Sequence, residues 1–186
     1  FFDIGQTMLA FASLGTMAAV YKFFPYYKDN LKPKENDLMT WAFVAALLGF
    51  VLVLAGGILF EPLIVRKFSA RSLLFVSYYW WVFPFGLGIL LFTLLEVFSG
   101  SLQKTIFPNF LKETALRLFT LVLIAVYLLK LISFDLFIKL FSFQFLLIAF
   151  ILGTALYRNN HLHFTFTVSR VTKRFKKKMI TLAAFI

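Results

Sequence analysis

Apolar runs without a single internal charge alternate with charged connectors along this chain; they cover residues 4–21, 38–60, 72–95, 118–129 and 140–157. A bilayer's hydrocarbon core is about 30 Å thick and a helix rises about 1.5 Å per residue, so about 20 apolar residues cross it. The run at 118–129 is the short one, but apolar sequence resumes at 131–134 after Lys130 alone. This pattern predicts an all-α, polytopic transmembrane helix bundle of about five complete spans.

Small residues and breakers subdivide the runs. Ala12, Gly15 and Ala19 fall on one face of the first span, and Ala42, Ala46 and Gly49 repeat the device in the second, ahead of Gly56-Gly57. Lipid gives apolar side chains no reason to leave it, so small residues that let backbones approach are what hold such helices together. Pro25, among Phe23, Phe24, Tyr26 and Tyr27, predicts the end of the first helix near an interface that suits aromatics. In the third span Tyr78-Tyr79-Trp80-Trp81 precede Pro84-Phe85-Gly86-Leu87-Gly88. Pro84 removes a helix hydrogen bond while Gly86 and Gly88 loosen the same turn, which makes these three the hinge candidates. Broken helices of this kind line substrate paths in transporters, and a static packing kink is the plainer alternative. Residues 99–117 read as an interfacial elbow broken by Gly100 and Pro108. Glu113 and Arg117 are spaced to pair on the helix that follows it.

Charge adds an orientation. The chain is 61% apolar and carries 27 Phe, while its net charge is +11. In a soluble protein that excess would suggest nucleic acid; here the basic residues stand in connectors between spans, which is a topology signal, and no nucleic-acid partner is expected. Lys and Arg number fourteen in connectors 22–37, 96–117 and 158–178, against five in 61–71 and 130–139. The positive-inside rule therefore places the first set in the cytoplasm and residue 1 on the outer side. The basic run 173–178 holds its loop inside and can grip anionic membrane lipids at about 1 kcal/mol per residue.

Chemistry is sparse. There is no Cys, hence no disulfide and no thiolate. His161 and His163 have no acidic neighbour and do not make a metal site, and no phosphate loop, zinc motif or catalytic triad occurs. Of the acidic residues, Asp3, Glu61, Glu96 and Asp135 stand at the ends of runs rather than inside them. The expectation is a protein with no enzymatic activity and no cofactor.

Both ends look cut. The chain opens without Met directly into a span, and residues 179–186 read as the first two turns of another helix. The expected organisation is a partial N-terminal transmembrane lobe over 1–157, a basic cytoplasmic linker over 158–178 and the truncated start of a sixth span over 179–186.

The run Ala18-Ala19-Val20-Tyr21-Lys22-Phe23-Phe24-Pro25, closing a span that contains Gly15, resembles the end of the second helix in bacterial polysaccharide-biosynthesis flippases. These are the lipid-linked oligosaccharide exporters of the multidrug/oligosaccharidyl-lipid/polysaccharide superfamily. Phe107-Pro108, followed by Leu111-Lys112-Glu113 and Leu116-Arg117, resembles the start of that family's fifth helix. The resemblance implies that the chain covers helices two to six and the basic linker toward the seventh. That is most of the N-terminal lobe of a two-lobed, twelve-to-fourteen-helix protein of the bacterial inner membrane. It implies translocation of a polyprenyl-diphosphate-linked oligosaccharide by alternating access, with the C-terminal lobe of the same chain as partner. On this reading Lys22 and Arg117, with Lys104 behind them, are candidates to meet the diphosphate, and Asp3 and Gln6 to meet sugar. A drug or cation exporter of the same superfamily is one alternative. Another is a polymerase or transferase of envelope polysaccharide synthesis, although the short outer connectors lack the residues such an enzyme needs.

Overall fold

The computed structural model describes residues 1–69 and 72–184. Ala70 and Arg71 of the second connector, and the last two residues of the expected sixth span, lie outside the described residues. Among those described there is no strand. The helices are α1 (Phe2–Ala12), α2 (Thr16–Asn30), α3 (Leu38–Ser69), α4 (Leu73–Ser77), α5 (Val82–Ser101), α6 (Ile106–Phe110), α7 (Leu116–Leu128), α8 (Phe134–Arg158) and α9 (Arg170–Ala184). Tight 3-10 turns at Pro33–Glu35 and Tyr79–Trp81 lead into α3 and α5, and a π-helical turn, Leu111–Ala115, joins α6 to α7. Three helical stretches are long and apolar enough to cross a membrane: Pro33–Ser69, Tyr79–Ser101 and Phe134–Arg158. α1 and α2, bent by 54° at their junction, make a fourth if taken as one span.

α5 is the centre of the bundle, with α8, α1, α2 and α3 packed around it and α7 outside on α8. Its buried residues Ile89, Leu90, Phe92 and Leu94 point in several directions, as a helix apolar on every side allows. Glycine sets how near the neighbours come. A Cβ at Gly88 would lie 2.6 Å from the Leu146 backbone nitrogen, and one at Gly49 only 2.2 Å from the Ala12 carbonyl oxygen. Ala12, Ala42 and Ala46 are buried beside that second contact, so the small-residue faces of the first two spans do meet. α3, by contrast, turns Leu48, Leu52, Leu59 and Leu63 outward and leaves them exposed.

The breaks fall elsewhere than the sequence pattern suggests. The first run is no continuous helix: Leu14 (φ 44°) and Gly15 (φ 68°) adopt left-handed conformations and divide α1 from α2. Gly15 thus bends the chain rather than packing it. Pro25 ends nothing and lies inside α2, where buried Phe23, Phe24 and Tyr27 hold the helix on to Asn30. Lys130 is not an interruption within a longer span; α7 stops at Leu128 and Lys130, with φ 57°, turns the chain into α8.

Helix ends here close without glycine. Gln103, Lys130 and Asn160 each take positive φ two residues past a helix. In each case the following N–H reaches back five residues: Lys104 to Ser99, Leu131 to Val126 and His161 to Leu156. These are Schellman closures, which satisfy carbonyls the helix leaves open.

Contacts sort the connectors into two ends. At one, Thr165 bonds to Thr40 and Lys34, Lys104 touches His161, and Phe24 packs on Phe98. At the other, Tyr78 and Tyr127 pack on Phe134, and Phe68 on Phe75. The first, third and fifth connectors therefore share an end. The boundary expected between residues 178 and 179 lies within a single helix, α9, so the basic run and the residues after it form one element.

Candidate functional site

The shared end of those three connectors holds most of the polar chemistry, and it is organised by Asp37. This residue precedes α3 and has 0% of its surface exposed. Its Oδ2 accepts from Trp41 Nε1 at 3.2 Å, from the Ser169 backbone N–H at 2.9 Å and from the Thr172 hydroxyl at 2.7 Å. The Thr172 oxygen in turn accepts from the Tyr27 hydroxyl at 2.7 Å. Ser169 caps α9, its Oγ taking the Thr172 N–H at 3.1 Å. Since Trp41 stands on α3, Tyr27 on α2 and Thr172 on α9, a single buried carboxyl group ties three elements together. Thr165 adds a second fastening, its N–H to Thr40 Oγ1 at 2.9 Å and its hydroxyl to the Lys34 carbonyl at 2.8 Å. The last connector is consequently latched across the base of the bundle.

Beside the latch, Lys104 points at His161. An ammonium can only donate, so Nε2 of the ring is the acceptor and Nδ1 carries the proton. Burial, then the charge of Lys104, then His163 hold the His161 pKa below its ordinary value of 6.5, which favours this neutral form. The pair borders a cavity of about 230 Å³ also lined by Asn159 and by Ser99, whose buried hydroxyl has no hydrogen-bond partner among the described residues.

Lys22 lies on the exposed side of α2, its ammonium 6.0 Å from the Phe23 ring. With Lys177 and Lys178 of α9 it borders a separate cleft of about 430 Å³, whose wall is Phe23, Tyr26 and Phe175. Arg117 pairs with Glu113 one turn back, as their spacing suggests, and both are largely exposed; Lys112 reaches Glu96 of α5 at 3.0 Å. Asp3 and Gln6 are exposed on the first two turns of α1, away from Gly5, which faces Phe85 and Ile89 of α5. Among the described residues no hydrogen bond or ion pair joins Lys22, Lys104 and Arg117 to one another.

The hinge candidates stand in tight surroundings. Pro84 occupies the first turn of α5, where its missing N–H removes no internal bond, and the irregular turn precedes it at Tyr79–Trp81. A Cβ at Gly86 would come within 2.7 Å of Met8 Sδ, and Gly88 receives α8.

Sequence reasoning passed over three groups. Asp37 and Ser99 counted only as ends of connectors, and Gln144 as an ordinary member of an apolar stretch. Gln144 is buried in α8 and bonds across to the Thr120 hydroxyl of α7 at 2.9 Å. An amide in the middle of an apolar run was the available signal, because lipid offers it no partner. A larger cavity of about 720 Å³ lies between α1, α3 and α5; Ile4, Met8, Leu52, Phe60 and Phe83 line it, and among the described residues no charged one does. No family model, curated protein or solved structure matches the chain.

Proposed function

We propose that the chain is the greater part of one lobe of a membrane transporter that moves a polyprenyl-diphosphate-linked oligosaccharide across the bacterial inner membrane by alternating access. The resemblance of residues 18–25 and 107–117 to the polysaccharide flippases suggests the substrate. The observation that carries the reading is the gathering of the first, third and fifth connectors at one end, where fourteen of the Lys and Arg residues of the sequence stand.

That arrangement favours five crossings over three or four. α8 joins the two ends of the bundle, with Ser133 at one and His161 at the other. The chain from Lys104 to Leu131 must cover the same distance in reverse, because Lys104 touches His161 and Leu131 adjoins Ser133. Its helical stretch, residues 106–128, is about 34 Å long at 1.5 Å per residue, enough for the hydrocarbon core. The Glu113 partner of Arg117 lowers the cost of a cation on the leading turns of this element.

Transport of this substrate needs cations for a diphosphate and polar groups for sugar, since neither enters hydrocarbon unaided. Lys22 and Arg117 are proposed for the diphosphate with Lys104 behind them, and Asp3 and Gln6 for sugar at the opposite end. The isoprenoid tail needs only apolar surface, such as the cavity between α1, α3 and α5. Catalysis and cofactors have no part in this reading. Lys22→Gln and Arg117→Gln in the full-length protein test it: export of surface polysaccharide is expected to fall at least tenfold for the pair at normal membrane abundance. Undiminished export would remove these residues from the substrate path.

A further inference from the structure

We propose that the cleft between α2 and α9 binds the phosphate of an anionic phospholipid in the leaflet that borders this end of the bundle. Three lysines, Lys22, Lys177 and Lys178, border one cleft, and among the described residues no Asp or Glu lines it. Like charges held together from two separate elements repel, so the arrangement calls for an external anion. None of the three lysines takes part in an ion pair among the described residues, where the pairs are Lys112–Glu96, Arg117–Glu113 and Lys139–Asp135. Asp37, which does touch α9, gives its Oδ2 to Trp41, Ser169 and Thr172 rather than to a cation.

The seating of α9 fixes where its charge points. Val171 is buried and Phe175 packs 5.0 Å from the Tyr26 ring and 5.3 Å from the Phe23 ring, so the apolar face is already taken by α2. Lys173, Arg174, Lys176, Lys177 and Lys178 are left exposed. Six of the nine residues from 170 to 178 are basic and none is acidic. Lysine is a compact charge on a flexible stem and suits a phosphate approached from several sides.

A lipid fits this cleft better than a free anion. Its wall is aromatic, and the Lys178 ammonium stands 5.9 Å from the Phe175 ring, so an apolar stem can run where the lysine stems do. Tyr21 and Tyr26, exposed on α2, are side chains that settle at the level of headgroups. Membrane residence is the one premise the inference borrows; transport activity is not required for it.

The test is thermal unfolding of the full-length protein in a neutral detergent during titration with phosphatidylglycerol, phosphatidylcholine or inorganic phosphate. Phosphatidylglycerol should raise the midpoint in a saturable manner, with the other two leaving it unchanged. In the triple variant K22Q/K177Q/K178Q the apparent affinity for phosphatidylglycerol should fall by at least about tenfold, each lost charge being worth about fivefold. The charge-matched variant R66Q/K67Q/K130Q, altered at the opposite end, should keep it. Equal responses in the two variants, a shift with phosphatidylcholine, or a shift with inorganic phosphate alone would each overturn the assignment. Export measured on K177Q/K178Q, which leaves Lys22 in place, separates this result from the transport reading.

Discussion

Asp37 buries a carboxyl group completely and takes donors from α3 and from the start of α9, so its substitution reaches well past its own position. Replacing it with Ala leaves the Trp41 indole, the Ser169 amide and the Thr172 hydroxyl without an acceptor. At about 1–3 kcal/mol for a buried donor stranded in this way, the variant should lose about 3 kcal/mol or more and release α9 from the bundle. Trypsin reports it directly: cleavage after Lys173 and Arg174 should accelerate while fragments from α5 and α8 stay protected, and an unchanged digestion rate would refute the latch. His161 adds a pH dependence. Its folded pKa lies below 6.5, so between the two values the unfolded chain binds more protons than the folded one. The Lys104 contact is therefore fully present above about pH 6.5 and is lost as pH falls through the lowered value. The unfolding midpoint should drop further between pH 7.5 and pH 5 in the wild type than in His161→Gln, which cannot titrate; equal drops would dismiss the contact as a contributor. Asp37 and Gln144 show what a sequence hides at this scale. Composition records a charge in a connector or an amide in a span, whereas its partners come from residues as much as 135 positions away, as with Thr172.

Helix contacts here are set by where a Cβ can and cannot stand, which two glycines of α3 separate cleanly. Gly49→Ala would put its Cβ 2.2 Å from the Ala12 carbonyl, a backbone atom that cannot swing aside, so α1 and α3 must part. A loss of about 1–3 kcal/mol is expected. Gly56→Ala has nothing within 4 Å and should be neutral or stabilise α3 by up to about 1 kcal/mol through helix propensity. Thermal unfolding in detergent distinguishes them, and similar midpoints for the two would mean that the α1–α3 contact does not hold the bundle. The stripe Ala42, Ala46, Gly49 was legible beforehand because periodic small residues in an apolar run have few other uses. Gly15 was not, since spacing alone cannot tell a glycine that packs from one that takes φ 68° and bends the chain. Nor could the ends of α5, α7 and α8 be read, because Gln103, Lys130 and Asn160 occupy left-handed positions that glycine usually marks. Packing of the neighbouring helices imposes those turns, and packing is not written locally.

For the molecule as a whole, the central question is how many times the chain crosses the bilayer, and the absence of Cys makes that measurable one position at a time. Three stretches are long and apolar enough to cross, and a fourth if α1 and α2 act as one. The remaining segment, α6 through α7, carries Lys112, Glu113 and Arg117 in its first half and has only thirteen residues in α7. Composition alone would leave it at the surface. Geometry argues otherwise: a segment that begins beside His161 and ends beside Ser133 spans whatever α8 spans. If α6–α7 stayed at one face, Gln103 and Lys130 would label from the same side and Asn160 from the other. If it crosses, Asn30, Gln103 and Asn160 share one side while Lys67 and Lys130 share the opposite one. All five are exposed, so single Cys substitutions should be tolerated and should react with a membrane-impermeant maleimide. The second pattern is expected, with the first group reactive only in inverted vesicles because it holds the excess of Lys and Arg. Labelling of Gln103→Cys and Asn160→Cys from opposite sides would leave the α6–α7 segment outside the bilayer and reduce the lobe to four spans. The same labelling of Asn30→Cys from the outer face would instead invert the bundle and place the Lys22–Lys177–Lys178 cleft against the outer leaflet.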